Sequence, residues 1–298
     1  MYEEAHMTIS QQIITRFAPS PTGYLHLGHA YSAKRAHDFA AARGGKFLLR
    51  IEDIDHSRCK AAYEAAIYED LAWVGLKWES PVRRQSEHMA DYLDARNILA
   101  KKGLIYPCFC SRKDIRREIE ESGRAPHDLG QHNPQGQHSS EGPLYPGTCR
   151  HLTAMERQAR LDSGAAFALR LDMTKALALA GDEKLTWTDL DAGEQIASPE
   201  ILQDILGDAV LARKDIPTSY HLSVVVDDHL QNISHIIRGK DLFIASHLHR
   251  LLQFILGYQT PKYLHHDLLT DENGWRYAKR TNSKTLRLMR ENGEALTL

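Results

Sequence analysis

His26 and His29, with Gly28 between them, are the side chains of this sequence best suited to chemistry on a phosphate. Two imidazoles can donate hydrogen bonds to phosphate oxygens whose charge grows in a transition state, which is electrostatic catalysis and not proton transfer. They close the run Arg16-Phe-Ala-Pro-Ser-Pro-Thr-Gly-Tyr-Leu-His-Leu-Gly-His29, which reads as strand, turn and helix start. Ile13-Ile14-Thr15 suits a buried strand end, Pro19, Pro21 and Gly23 break it, and helical composition runs from Ala30 to Gly44-Gly45. Free backbone N–H groups and the positive end of the helix dipole favour phosphate at that mouth, and Gly28 lets an adenine ring or phosphate approach the backbone. This predicts a place to hold ATP. A bare His-x-Gly-His also occurs in ordinary strand-turn-helix units, so its context has to decide.

A second group of residues offers metal chemistry. Cys108-Phe-Cys110 is followed by Tyr145-Pro-Gly-Thr-Cys149, three thiols and a phenol in one loop-rich region. Three thiolates and one hard oxygen can satisfy tetrahedral zinc, and three reduced cysteines packed in a small core fit the spacing equally well. The 34 residues between Cys110 and Tyr145 include His127, His132 and His138, any of which can compete with the tyrosine as fourth ligand. Cys59 lies apart and reads as a packing residue, with no disulfide expected.

The elements that must position these groups alternate strand and helix through residue 105, as a parallel sheet requires. Lys46 to Ile51 reads as the next strand, a helix from about Ser57 ends at Gly75, and Ser86 reads as the cap of a helix running to Lys102. Residues 106–150 break the pattern, a charged helix starts near Lys113, and Phe167 to Leu171 and Leu185 to Thr188 read as strands. The expected organisation is an α/β Rossmann-like catalytic domain in two halves, 10–105 and 196–298, around an inserted subdomain, 106–195.

Composition adds bounds. With 298 residues, 42% hydrophobic and 26% charged, the chain can bury a proper core. A net charge of −2, from 37 basic and 39 acidic residues, makes any nucleic-acid surface a local patch. No apolar run approaches a membrane span and the first residues carry no secretory pattern, so a cytoplasmic monomer with no membrane partner is expected.

Arg16 to Pro21 followed by His26 to His29 resembles the signature of class I aminoacyl-tRNA synthetases of the glutamyl branch. Four further segments carry the likeness in order. Leu48-Leu49-Arg50-Ile51-Glu52-Asp53-Ile54-Asp55 is similar to that family's second strand and acidic turn. Tyr220 with Val224-Val225-Val226-Asp227-Asp228 is similar to the far side of its amino-acid pocket. His235-Ile236-Ile237-Arg238-Gly239-Lys240-Asp241 is similar to its last core strand. Arg276-Tyr277-Ala278-Lys279-Arg280 stands in place of its mobile lysine loop, with Arg276 for the first lysine and Ala278 for the serine of the usual Lys-x-Ser-Lys; Asp271 to Gly274 reads as a hairpin turn before it.

The resemblance implies a ligase that activates L-glutamate with ATP, Mg²⁺ accompanying the nucleotide. His26, His29 and Lys279 would be catalytic, and Pro19, His26, Gly28, His29, Lys279 and Arg280 would hold ATP. Arg16, Ser20, Glu52, Tyr220 and Arg238 would bind glutamate, with Glu52 on its ammonium and the arginines as planar forks for carboxylates. Arg50, Glu52 and Asp53 also read as ion pairs between strand ends. Two arginines facing the pocket favour glutamate over glutamine. One structural Zn²⁺ on Cys108, Cys110, Tyr145 and Cys149 is also implied. Only 18 residues follow Arg280, so no anticodon-binding domain is expected. That pattern resembles the stand-alone members that transfer glutamate to queuosine in the anticodon stem-loop of tRNA(Asp). A truncated enzyme charging tRNA(Glu), a non-catalytic glutamate- or adenylate-binding paralogue and another nucleotidylyltransferase of the same fold remain alternatives.

Overall fold

The computed structural model describes residues 12–121, 144–270 and 284–296. The first sheet holds three parallel strands in the order β1-β2-β3: β1 Ile14–Phe17, β2 Lys46–Ile51 and β3 Glu79–Arg84. Helix α1, Leu27–Ala41, joins β1 to β2, and α2, Ala61–Trp73, joins β2 to β3. α1 buries Ala30, Ala33, Ala36 and Ala40, a stripe of small side chains at helical spacing that lets its backbone come close to β1. There Thr15 Oγ1 donates 2.8 Å to the Ala36 carbonyl.

After α3, Met89–Lys101, the chain enters an antiparallel sheet of β4 Ile105–Cys108, β5 Ala168–Leu171 and β8 Val210–Ala212. Between β4 and β5 lie α4, Arg112–Glu121, and α5, Ala154–Asp162. α5 begins on Thr153, whose hydroxyl accepts the Glu156 N–H while the Glu156 carboxylate accepts the Thr153 N–H. α6, Met173–Ala180, leads to the hairpin β6 Thr186–Asp189 and β7 Gly193–Ile196. α7, Tyr220–Leu230, then leads to β9 His235–Gly239, and α8, Ala245–Leu256, to β10 Lys262–His266. A last helix, α9, spans Leu286–Glu291.

The second core sheet has the order β7-β6-β10-β9, with β9, β10 and β6 parallel. It meets the first along β1 and β9: the Ser234 N–H donates 3.0 Å to the Ile14 carbonyl, and the Ile14 N–H donates 2.8 Å to Ser234 Oγ. The chain winds outward from β1 through β2 and β3, and from β9 through β10. A topological switch point therefore lies between β1 and β9, and the crevice beyond their carboxyl ends is where such sheets bind ligands.

Three sequence expectations are corrected. Ser86 is not a helix cap; it sits in a short 3₁₀ turn, Gln85–Glu87, where its N–H and hydroxyl bond the Asp53 carboxylate at 2.8 and 2.6 Å. The strand before it, Glu79–Arg84, lacks an apolar run because it forms the sheet edge. His235–Gly239 is not the last core strand, since β10 follows it. The hairpin β6-β7, inside the inserted segment by sequence, pairs with β10 of the core, and β8, beyond that segment, pairs with β5. Among the described residues, no helix is long and apolar enough to cross a membrane.

Candidate active site

At the switch point lies a cavity of about 400 Å³ whose walls include Arg16, Phe17, Ala18, His26, Gly28, His29, Ser32, Glu52, Tyr220, Arg238, Gly239, Asp241 and His266. Seven residues singled out in the sequence, Arg16, His26, Gly28, His29, Glu52, Tyr220 and Arg238, thus meet in one space. They come from β1, the mouth of α1, the end of β2, the start of α7 and β9.

His26 is the extended residue that caps α1. Its N–H donates 3.2 Å to His29 Nδ1, and the two rings lie 3.8 Å apart. An Nδ1 that accepts carries no proton, so His29 is held as the Nε2–H tautomer, a donor suited to a phosphate oxygen. Across the mouth, the Leu286 N–H donates 2.8 Å to the Leu25 carbonyl and Thr285 bridges to His26. Residues 284–285, which precede α9, are thereby fastened beside His26. Arg276, Ala278, Lys279 and Arg280, with the turn at Asp271 to Gly274, lie outside the described residues.

The opposite end of the cavity is built on a buried ionic lattice. Arg16 Nε and Nη2 donate 3.0 and 3.3 Å to the two Asp228 oxygens, a side-on fork that orients the guanidinium. Arg50, fully buried, donates to Asp228 at 2.8 Å, to Gln231 at 3.0 Å and to Glu52 at 3.3 Å. Asp227 accepts from Arg83, Gln85 and Tyr92 at 2.7, 2.8 and 2.9 Å. Three arginines against Glu52, Asp227 and Asp228 balance formally. Burial alone would raise the Asp228 pKa, but Arg16 and Arg50 more than offset it and hold it below the usual carboxylate range. Glu52 has the opposite balance: burial outweighs Arg50 and Arg16, Asp227 and Asp228 add to it, and its pKa is pushed up to about 7. A buried carboxylate poised in this way gains from a cation placed beside it.

Arg238 anchors the β9 wall. Its Nε donates 3.1 Å to His265 Nε2, and its Nη2 donates to Ser246 Oγ at 2.7 Å and the Leu242 carbonyl at 3.1 Å. Nη1 lies 3.4 Å from the Tyr220 hydroxyl. Because His265 Nε2 accepts, its Nδ1 carries the proton and donates 2.8 Å to Asp189. Burial, the largest cause, lowers the His265 pKa to about 4, so the ring is neutral and passes the Asp189 charge toward the arginine. Gly239 is required next to it: a Cβ there would lie 2.6 Å from Asp241 Oδ1 and 2.7 Å from Leu268 Cδ2.

Pro19 is buried in the loop after β1, where its carbonyl accepts the Glu52 N–H at 3.0 Å, and so supports the pocket from behind. Ser20 is exposed and lines a smaller compartment on the other side of Glu52 and Tyr220. The Arg50–Glu52 ion pair read from the sequence exists together with Glu52's place in the cavity wall. Sequence reasoning missed Asp189, Ser246, His265 and Gln85, which act on the pocket through Arg238 or Asp227. The signal for His265 was there, since Lys262 to His266 has strand character and carries two adjacent histidines.

In the inserted region, the sulfurs of Cys108, Cys110 and Cys149 lie within 4.8 Å of one another. Cys110 Sγ is 3.4 Å from Cys149 Sγ and 3.6 Å from Tyr145 Oη. A tetrahedron with Zn–S bonds of about 2.3 Å places sulfurs roughly 3.8 Å apart, so three thiols and the phenol suit zinc in size and donor type. β4 ends on Cys108, and Asp208 braces the region by accepting from Tyr106 at 2.5 Å, Arg150 at 3.1 Å and the Met173 N–H at 3.0 Å. His127, His132 and His138 lie outside the described residues. Cys59 is half-buried in the connection before α2.

The sequence profile described as tRNA synthetases class I (E and Q), catalytic domain, matches residues 12–295. The chain is 45% identical to a glutamyl-Q tRNA(Asp) synthetase of Rhodobacter capsulatus, over 94% of this chain and 96% of that one. It is 36% identical to a glutamate–tRNA ligase of Aquifex aeolicus, over 95% of this chain but 54% of the longer relative. A crystal structure of glutamate-tRNA synthetase from Elizabethkingia anophelis superimposes with a TM-score of 0.72 at 28% identity, over 90% of this chain and 53% of that one. This chain therefore spans about half the length of that solved structure. With a cavity at the switch point, two histidines at its helix mouth and a profile match along nearly all of its length, the chain belongs to the class I tRNA synthetases of the glutamate and glutamine branch, a family of ligases.

Proposed function

We propose that this enzyme activates L-glutamate with ATP, without RNA, and transfers the glutamyl group to queuosine in the anticodon of tRNA(Asp). The observation that carries the first half is the meeting of Arg16, Glu52, Tyr220 and Arg238 with the histidine pair in one cavity. The second half is supported by the name of the Rhodobacter relative, which this chain matches almost end to end. A relative named glutamate–tRNA ligase at 36% identity makes tRNA(Glu) the competing acceptor.

In the first step the α-carboxylate of glutamate attacks the α-phosphorus of ATP in line and pyrophosphate leaves. His29 Nε2–H and His26 stabilise the growing phosphate charge, joined by Lys279 from its loop. Glu52 pairs with the ammonium, and the guanidinium N–H groups that Arg16 and Arg238 do not spend on Asp228, His265, Ser246 and Leu242 take the carboxylates. Mg²⁺, when bound to the triphosphate, offsets charge on the leaving group. Glutamine would leave a desolvated guanidinium poorly paired and is rejected. Pyrophosphate exchange into ATP that requires L-glutamate, needs no RNA and fails with L-glutamine tests this step; exchange that needs RNA or accepts glutamine contradicts it.

The Glu52 environment fixes a pH dependence. Only the carboxylate form pairs with the substrate ammonium, and in the ligand-free enzyme that form dominates above about pH 7. Affinity for glutamate is therefore present above pH 7 and lost as the pH falls, by about tenfold for each unit below it. We expect log kcat/KM for glutamate to rise with a slope near +1 up to pH 7 and then level off. In Glu52→Gln that slope should vanish, with a lower plateau throughout.

Cys108, Cys110, Tyr145 and Cys149 would hold one structural zinc, which when bound fastens β4 to the loop following residue 144. Metal analysis should give one zinc per chain. Cys149→Ser should fall well below that and melt on the order of 10 °C lower, while Cys59→Ser should keep both the metal and the melting temperature.

A further inference from the structure

The peptide group between Leu25 and His26 is held from both sides. Its N–H donates 3.2 Å to His29 Nδ1, the bond that keeps the His29 proton on Nε2, and its carbonyl accepts the Leu286 N–H at 2.8 Å. A donor on the carbonyl polarises the amide and strengthens its N–H in turn. α9 therefore reaches His29 through a single peptide plane.

With six residues, α9 is too short to hold its shape alone, so its contacts set its place. Leu286 and Met289 are buried in the apolar cluster that contains Leu25, Ile67 and Leu71, but apolar contacts are non-directional and tolerate small slides and rotations. Directed contacts remove that freedom at both ends. Beside the mouth, Thr285 pairs with His26 as an isolated antiparallel bridge, and Arg287 Nη1 donates 2.8 Å to the Tyr24 hydroxyl. At the far end Arg290 Nη2 donates 2.7 Å to Glu69, and its Nε lies 3.4 Å from Asp70 Oδ1.

Asp70 is the informative member. It is 0% exposed on α2, flanked by the buried Ile67 and Leu71, and among the described residues neither of its oxygens has an aligned hydrogen bond. Burial outweighs the attraction of Arg290 and Arg287, Glu69 adds to it, and the Asp70 pKa is raised to about 6. A pair this loose does not offset the desolvation of its carboxylate, and an apolar side chain would suit α2 better. Stability therefore does not account for Asp70. Fixing a register does, since one buried charge draws Arg290, and α9 with it, to one position.

We propose that α9 is a positioning clasp for His29, with Asp70–Arg290 and Tyr24–Arg287 as its anchors and the Leu25–His26 peptide as the group it orients. This rests on the donor role of His29 proposed above. Tyr24, Asp70, Arg287 and Arg290 are not among the residues that line the cavity, so their effect on the reaction passes through the histidine mouth.

The test takes one substitution at each anchor, Asp70→Asn and Arg287→Gln, in the full chain, with glutamate-dependent pyrophosphate exchange as the assay. Each should lower kcat about tenfold, because a small misplacement of the donor is magnified in the transition state, and leave KM for glutamate within about twofold. The melting temperature of Asp70→Asn should be unchanged or higher. In the His29→Ala background most of the kcat loss should disappear, since the group being positioned is gone. Should Asp70→Asn fail to fold, Arg287→Gln, at an exposed side chain, carries the same test. Wild-type kcat in both variants, or the same loss with and without His29, overturns the clasp. Exchange by His29→Ala at the wild-type rate overturns the donor role of His29 itself, and the clasp with it.

Discussion

Replacing His29 with alanine lowers glutamate-dependent pyrophosphate exchange by roughly 10²- to 10³-fold, the loss typical of one preorganised donor to a developing oxyanion. The basis is the hydrogen bond from the His26 N–H to His29 Nδ1, which leaves the proton on Nε2 of a ring that lines the cavity. Because the interaction strengthens only as charge builds on the phosphate, kcat falls while KM for ATP changes little. His26→Ala loses a comparable factor, and the double variant loses less than the product of the two, since the tilted rings, with centroids 3.8 Å apart, touch and act as a unit. A fall in KM affinity with kcat intact would move both histidines from catalysis to ground-state binding.

Arg238→Lys is the second large effect. Arg238 makes four directed contacts, to His265, Ser246, the Leu242 carbonyl and Tyr220, which a single ammonium cannot reproduce. Breaking a buried, hydrogen-bonded charge pair, here the one Arg238 would form with the substrate carboxylate, costs about 3–5 kcal/mol, equivalent to roughly 10²- to 5 × 10³-fold in kcat/KM for glutamate. The loss should fall mainly on KM, since the guanidinium would hold the carboxylate of substrate and transition state alike. Asp189→Asn provides a control that touches no substrate. Its amide cannot hold His265 in the Nδ1–H tautomer as the carboxylate does, so about tenfold of glutamate affinity should go, with the ATP dependence unchanged. Unaltered glutamate kinetics in both variants would remove the β9 wall from amino-acid recognition.

The strand-turn-helix from Ile14 to Ala41 was legible because each signal in it is local: apolar strand end, proline-rich turn, helix mouth with histidines. Arg16, Glu52 and Arg238 were legible from their strand ends and from the family pattern. The supports of those residues were not. Asp228 clasps Arg16 across 212 positions of sequence, and Asp189 reaches His265 across 76, separations that no periodicity or spacing encodes. β3 was hidden for a different reason: at a sheet edge, Glu-Ser-Pro-Val-Arg-Arg needs no apolar alternation, and its arginines serve Asp227 and Glu64 instead. Ser86 was mistaken for a helix cap because the same small hydroxyl that favours caps also satisfies a buried carboxylate, here Asp53. The smaller compartment behind Glu52 and Tyr220 had no sequence signature, since Ser20, the Asp55–Cys59 turn and Gln85 come from three separate segments and meet only in the fold.

The central claim concerns the acceptor, and one measurement addresses it most directly: transfer of labelled L-glutamate, in the presence of ATP, to purified tRNA(Asp) with and without queuosine, with tRNA(Glu) in parallel. The account predicts label on the queuosine-containing tRNA(Asp) alone, retained when the 3′ end is oxidised or removed. Label on tRNA(Glu), or on tRNA(Asp) irrespective of queuosine, would contradict it.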